Sequence, residues 1–187
     1  MRLPLFSILG SLWALAEFCV ALITRSRSAA PSKDRGSVFL IWIVCVSSVC
    51  VAIFAARAFS AWGLPSPKVV YTAALWLFAL GVLLRFYSII YLGRFFTPTV
   101  AISADHRLID SGPYRFIRHP TYTGFLMILI GLGLSFANIV SLLIIFVPVF
   151  ACILWRIWIE EQALVEAFGE QYRSYMHRTK RLLPFIY

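Results

Sequence analysis

The sequence predicts an all-α integral membrane protein. It reads as a helical bundle of about five transmembrane helices, the last two paired as a hairpin, with an amphipathic helix at the C-terminal end. Three observations point there. Hydrophobic residues make up 61% of the chain and charged residues 13%, whereas a soluble domain carries about 25% charged residues. Mean hydropathy is +0.85. Apolar runs approaching the ~20 residues that a membrane-spanning helix needs recur along the chain, with polar segments between most of them. Within 187 residues there is little room for a separate soluble domain, so one compact unit is expected.

The first run, Pro4 to Ile23, is flanked by Arg2, Arg25 and Arg27. A cleaved signal peptide is the rival reading. The run's length, its Glu17 and its lack of a small-x-small cleavage site favour a retained helix. Residues 25–36 (RSRSAAPSKDRG) form a polar, basic loop, and Ser37 to Ala56 is the second span. GLPSP at 63–67 is a Pro/Gly turn. Val69 to about Gly93 is a third, long span containing Arg85, and residues 94–121 are mixed and polar. Tyr122 to Phe136 and Ile139 to Ile157 are separated only by Ala137 and Asn138; so short a connection implies an antiparallel hairpin. In the tail, 158–187, Leu164, Phe168, Tyr172 and Tyr175 recur at three- and four-residue spacing between charged positions, the pattern of an amphipathic helix. Such a helix lies on the membrane surface or forms a lid or wall over a site. Gly169 and Pro184 are candidates to interrupt or end it.

The formal net charge is +9. On a soluble chain this would suggest nucleic acid, but here the basic residues flank apolar runs, so they read as topology signals and contacts to anionic headgroups. One side of the bundle would receive Arg25, Arg27, Lys33 and Arg35, then Arg94, Arg107, Arg115 and Arg118, then Arg156, Arg173, Arg178, Lys180 and Arg181; the other receives Arg2, Arg57 and Lys68. The positive-inside rule then places the N-terminus outside and the C-terminus in the cytoplasm. Cys19, Cys45, Cys50 and Cys152 all lie within apolar runs with no metal-ligand spacing, and read as small buried hydrophobes.

Two clusters carry candidate chemistry. The first runs from Ser111 to Gly124 (SGPYRFIRHPTYTG). Pro120 suits the first position of the fourth helix and keeps residue 119 extended. His119 then sits at the helix entrance, beside unsatisfied backbone N–H groups and the positive dipole end, a place that suits a ligand carboxylate. A Tyr/Arg/His anchor at the membrane border fits the same residues. The second cluster is Arg156 to Glu161 (RIWIEE), in which Arg156 and Glu160 share a helix face. Glu160 and Glu161 read either as the helix's solvated exit or as charges facing a cavity. Glu17 and Arg85, within spans, are expected to pair with each other or with backbone. No metal cluster, hydrolase triad or phosphate-cradling loop is visible.

Three linked pieces of the C-terminal half resemble the isoprenylcysteine carboxyl methyltransferase family: Ser-Gly-x-Tyr followed by Arg118-His119-Pro120-x-Tyr122-x-Gly124; two helices; then Arg156-x-x-x-Glu160-Glu161 with Leu164, Phe168-Gly169, Tyr172 and Tyr175, ending in Leu183-Pro184-Phe185-Ile186. Residues 1–93 show only generic hydrophobicity. The apolar runs place three N-terminal transmembrane helices in 1–93, and the resemblance implies a cofactor-binding catalytic region in 94–187. It implies S-adenosyl-L-methionine held by His106, Leu108, Ile109, Tyr114, His119, Pro120, Thr121, Tyr122 and Glu160, on the inner side of the membrane. Arg156 would lie on the substrate side, so that Arg156 and Glu160 are the expected catalytic pair. The implied acceptor is the carboxylate of a prenylated cysteine or similar lipid-like acid. Such a carboxylate, with a pKa of roughly 3.5, needs no general base, and an arginine can hold it in a forked hydrogen bond. An amine acceptor, as in phospholipid N-methyltransferases, would need Glu160 or Glu161 as a base. A membrane reductase using NADPH and a non-enzymatic membrane protein are the remaining alternatives.

Overall fold

A computed structural model describes residues 3–25, 36–96 and 107–184. His106, Arg27, Lys33 and Arg35 lie outside the described residues. Six α-helices follow one another: α1 (Leu3–Arg25), α2 (Ser37–Ala58), α3 (Pro67–Leu92), α4 (Pro120–Ser135), α5 (Ile139–Phe168) and α6 (Glu170–Arg178). Short 3-10 turns lie at Ser60–Trp62, Gly93–Phe95 and Gly112–Arg115.

Helices α1, α2, α3 and α5 are long and apolar enough to cross a membrane; α4 is apolar but shorter. The expected fourth span is thus a helix of 16 residues, about 24 Å at 1.5 Å per residue, against a hydrocarbon core of about 30 Å. Its sequence explains why it need not meet lipid all along its length. Gly124, Phe125, Leu126, Ile128, Leu129, Gly131 and Gly133 are all buried. A Cβ on Gly124 would lie 2.7 Å from the Gly81 carbonyl and 2.7 Å from the Arg85 nitrogen, and one on Gly131 would lie 2.8 Å from the Ala74 carbonyl. Small residues here let the α3 and α4 backbones touch, the usual solution where lipid offers no hydrophobic drive between helices.

The other boundary that differs from expectation is the end of α5. Apolar character stops at Ile157, but the helix continues to Phe168, 30 residues in all, or about 45 Å. Backbone hydrogen bonding does not depend on hydropathy, so the helix projects beyond the apolar layer, carrying Arg156, Glu160 and Glu161 on its last turns. It ends at Gly169, whose φ of 53° suits glycine. The tail that reads as one amphipathic helix is therefore the end of α5 plus the short α6.

Asn138 caps α5, its Oδ1 accepting from the Ser141 N–H at 3.1 Å. Its Nδ2 donates to the Phe59 carbonyl at 2.8 Å, and the Leu64 N–H donates to the Ala137 carbonyl at 2.7 Å. The α2–α3 and α4–α5 turns are thereby tied together at one end of the bundle. Between the ends, Ile128, Leu129, Ile145 and Val149 form a fully buried core. The outer faces carry exposed Phe39, Phe54, Trp76 and Ile90, the surface a bundle offers to lipid. Cys19 and Cys50 lie on such faces, Cys152 is partly buried and Cys45 is buried. The expectation that all four cysteines are buried is corrected: in a membrane helix an apolar position need not face the core.

Candidate functional site

At the other end of the bundle, the segment leading into α4 is folded by close contacts. Gly112 has φ 58°, and a Cβ there would run into the Tyr91 ring, whose hydroxyl donates to Ser111 Oγ at 2.9 Å. This turn buries Tyr114. Its hydroxyl donates to the Ser88 carbonyl at 3.3 Å, and its own carbonyl accepts from the Tyr175 hydroxyl at 2.6 Å. The chain beyond α6 returns alongside: the Arg118 and His119 N–H groups donate to the Lys180 and Arg181 carbonyls at 2.8 and 3.0 Å. Thr123 Oγ1 donates to the Leu182 carbonyl at 2.8 Å.

Pro120 begins α4 as expected, and His119 stands before it outside the helical conformation (φ −125°, ψ 57°). The N–H groups of Tyr122 and Thr123 donate to the His119 carbonyl at 3.0 and 3.1 Å. These two are therefore not available to a ligand, contrary to the expectation of several open N–H groups. The His119 ring meets a carboxylate of the chain itself: its Nε2 lies 3.4 Å from Glu161 Oε1.

Glu161 is the centre of a buried ion cluster. It is 2% exposed, so it is not a solvated helix exit. Oε1 accepts from Arg118 Nε at 2.9 Å; Oε2 accepts from Arg181 Nε and Nη2 at 3.0 and 2.8 Å. Arg118 also donates to the Met176 carbonyl at 3.1 Å and to that of Thr179. A buried carboxylate needs this many partners to offset its desolvation. The cluster joins α5, the residues preceding α4, and the returning tail.

The neighbouring Glu160 faces elsewhere. Tyr122 donates its hydroxyl to Glu160 Oε2 at 2.7 Å and accepts from Arg156 Nε at 2.7 Å. Arg156, 4% exposed, also donates from Nη1 to Ser37 Oγ at the start of α2. A hydrogen-bonded chain Ser37–Arg156–Tyr122–Glu160 thus runs from α2 to α5, out to α4 and back to α5. The helix-face spacing of Arg156 and Glu160 is what lets a single tyrosine hydroxyl bridge them. The Tyr122 ring stacks on His119 at 5.6 Å.

Glu17 and Arg85 pair with each other: Arg85 Nη2 donates to Glu17 Oε2 at 2.7 Å, with a second bond from Nε to Oε1. Trp13 Nε1 donates to Glu17 Oε1 at 3.1 Å. Arg85 Nη1 reaches the Thr121 carbonyl at 3.1 Å, and its guanidinium lies 5.0 Å from the centre of the Phe125 ring. This pair fastens α1 and α3 to the first turn of α4.

Glu17, Arg85, Arg118, His119, Tyr122, Arg156 and Glu160 line one open cavity, and Glu161 and Ser37 are not among its lining residues. Leu108, Ile109, Tyr114, His119, Thr121, Tyr122, Arg156 and Glu160 line it. Pro120 is buried at the start of α4 and is not among the lining residues. Leu164, Phe168, Tyr172 and Tyr175 all line the cavity, which makes the apolar stripe of the tail a wall. Its face persists across the break at Gly169. Sequence reasoning missed Arg118, Ser37 and the partnering of Glu161. Their partners are distant in sequence, and no local spacing signals them. Arg107, which received no role, also lines the cavity.

The Tyr172 phenol oxygen is the one buried side-chain polar atom, among the described residues, with no hydrogen-bond partner. Burial pushes the hydroxyls of Tyr114, Tyr172 and Tyr175 well above the usual phenol range, reinforced by Glu160 beside Tyr114 and by Glu161 and Glu160 beside Tyr172. These phenols stay protonated across the working pH range.

The model of the isoprenylcysteine carboxyl methyltransferase family matches residues 73–166. The chain is 37% identical over 109 residues to protein-S-isoprenylcysteine O-methyltransferase B of Arabidopsis thaliana, covering 57% of this chain and 55% of the relative. It is 34% identical over 122 residues to the Schizosaccharomyces pombe protein-S-isoprenylcysteine O-methyltransferase, covering 62% and 50%. A solved structure of a eukaryotic intramembrane Ras methyltransferase, an isoprenylcysteine carboxyl methyltransferase, superposes with a TM-score of 0.64 at 30% identity, covering 77% of this chain and 52% of that one. The chain spans about half the length of the curated relatives it matches.

Proposed function

The chain belongs to the isoprenylcysteine carboxyl methyltransferase family, and on that premise we propose that it transfers the methyl group of S-adenosyl-L-methionine to the carboxylate of a prenylated cysteine or a similar lipid-like acid. The observation that carries this reading is the chain Ser37–Arg156–Tyr122–Glu160 along the cavity wall. It sets a buried guanidinium, suited to a carboxylate, one helical turn from a carboxylate suited to amino or ribose groups.

The residues fit the donor. Tyr114, Tyr122, Tyr172 and Tyr175 surround the cavity, and aromatic faces attract a cation by about 0.5–2 kcal/mol. With them Leu108, Ile109, His119, Thr121 and Glu160 would hold the cofactor, and Pro120 would fix the first turn of α4. His106, outside the described residues, belongs to the same proposed set. Bound S-adenosylmethionine supplies a methyl group already activated by its sulfonium.

The protein's own work is alignment and exclusion of water. Arg156 orients the acceptor carboxylate, which is ionised near neutral pH, so no side chain has to remove a proton. Ser37 and Tyr122 hold the guanidinium in one plane. Residues 94–187 would carry the donor site, while 1–93 contribute Ser37, Glu17 and Arg85 to its support. Val20, Ala21, Val38, Ile41 and Trp42 give α1 and α2 an apolar stretch of wall, suited to a prenyl tail and bilayer lipid. Arg94, Arg107, Arg115, Arg173 and Arg178 belong to the segments at the cavity end of the bundle, which supports a cytoplasmic site with the N-terminus outside.

Paired variants test the assignment. Glu160→Gln is expected to weaken binding of S-adenosylmethionine about tenfold, roughly one charge-assisted hydrogen bond, with Arg156→Ala mainly reducing turnover. Calorimetry and initial rates separate the two effects, and wild-type values in both variants would refute the assignment.

A further inference from the structure

Four tyrosines line the cavity, and three have their hydroxyls engaged by the protein. Tyr114 donates to Ser88, Tyr175 to Tyr114, and Tyr122 sits between Arg156 and Glu160. Tyr172 is as buried as any of them, at 1% exposure, yet its hydroxyl meets no partner among the described residues. Buried hydroxyls are nearly always satisfied, and an unsatisfied one calls for an explanation in function. The ring is not loose: it lies 5.8 Å from Tyr175, edge to face, on α6.

The surroundings say what kind of group it would meet. Glu161, Glu160 and Arg118 all act electrostatically on the Tyr172 phenol. Arg118 and His119 are both joined to Glu161. This end of the cavity carries both signs of charge, in contrast to the apolar wall from α1 and α2. A zwitterion complements it better than a purine or a prenyl chain does. Resting on the methyltransferase reading above, we propose that the Tyr172 hydroxyl is a donor-binding group, hydrogen-bonded to the aminocarboxylate end of S-adenosylmethionine. It completes from α6 a proposed site whose other walls are α4 and α5.

The orphaned hydroxyl makes this separable from a packing role. Tyr172→Phe removes a buried polar atom that has no partner in the protein, so the ligand-free variant should melt at the wild-type temperature or above it. Tyr175→Phe strips the Tyr114 carbonyl of its partner and should melt lower. Binding is measured by calorimetry on full-length protein in detergent, with S-adenosylhomocysteine, which keeps the aminocarboxylate, and with methylthioadenosine, which lacks it. Tyr172→Phe should bind S-adenosylhomocysteine about tenfold more weakly, the effect of one hydrogen bond in a desolvated site, and methylthioadenosine as wild type does. Unchanged affinity for S-adenosylhomocysteine, an equal loss for both ligands, or a lowered ligand-free melting temperature would each overturn the proposal. Wild-type protein that binds no S-adenosylhomocysteine at all would overturn the methyltransferase reading itself.

Discussion

Replacing Tyr122 with phenylalanine probes the coupling between the two halves of the site. The ring and its stacking on His119 at 5.6 Å are retained, and one oxygen is lost. That oxygen makes two bonds of 2.7 Å, both to ionised groups. Hydrogen bonds to charged groups contribute about 1.5–3 kcal/mol each. Glu160 is half-buried and can recruit water, so its loss falls at the low end. Arg156 is 4% exposed and its loss falls at the high end. Together the two come to about 4–5 kcal/mol, or roughly a thousandfold fall in kcat/KM at about 1.4 kcal/mol per decade. Because the hydroxyl touches a proposed donor residue and a proposed acceptor residue, both S-adenosylmethionine affinity and turnover at saturating donor should fall. Methyl-transfer kinetics with each substrate varied in turn would measure this. A variant within twofold of wild type in both would refute the idea that Tyr122 links the two sites, and a fall in only one would assign it to that site alone.

Two further substitutions address the scaffold. Glu161→Gln leaves Arg118 and Arg181 without their anionic partner in a buried setting; removing one member of such a cluster costs about 3 kcal/mol or more, so the thermal midpoint should drop clearly, and an unchanged midpoint would contradict the role of Glu161 in fastening the tail. Gly124→Ala places a methyl group 2.7 Å from the backbone of α3, which is expected to cost about 1–3 kcal/mol and to lower the yield of folded protein, measured by size-exclusion chromatography in detergent.

Much of the bundle is legible in the sequence because membrane helices are long and their polar punctuation is sharp. The expected runs Pro4–Ile23 and Ser37–Ala56 meet helices Leu3–Arg25 and Ser37–Ala58, and Pro67 starts α3 for the same reason that Pro120 starts α4. Where hydropathy and hydrogen bonding part company, the reading is incomplete. The end of α5 is marked by Gly169 rather than by the last apolar residue. Helix α4 is short because its glycines bind it to α3, a constraint visible only when both helices are seen together.

In the site, local spacing carries the information it physically can. Arg156 and Glu160 share a face, and the stripe from Leu164 to Tyr175 lines one wall. The long-range pairings escape it. Glu161 is 43 residues from Arg118 and 20 from Arg181, and Ser37 is 119 residues from Arg156. The glutamate that looks like a solvated partner of Glu160 is instead its buried counterpart, serving the architecture while Glu160 faces the cavity.

Methyl transfer to a carboxylate is the activity that a direct assay can establish. Purified protein in lipid nanodiscs, given methyl-labelled S-adenosylmethionine and a farnesylated cysteine analogue with a free carboxylate, should yield a labelled product whose methyl group is released as methanol by mild base. A base-stable methyl product, or no transfer to the carboxylate analogue alongside transfer to an aminophospholipid, would contradict it.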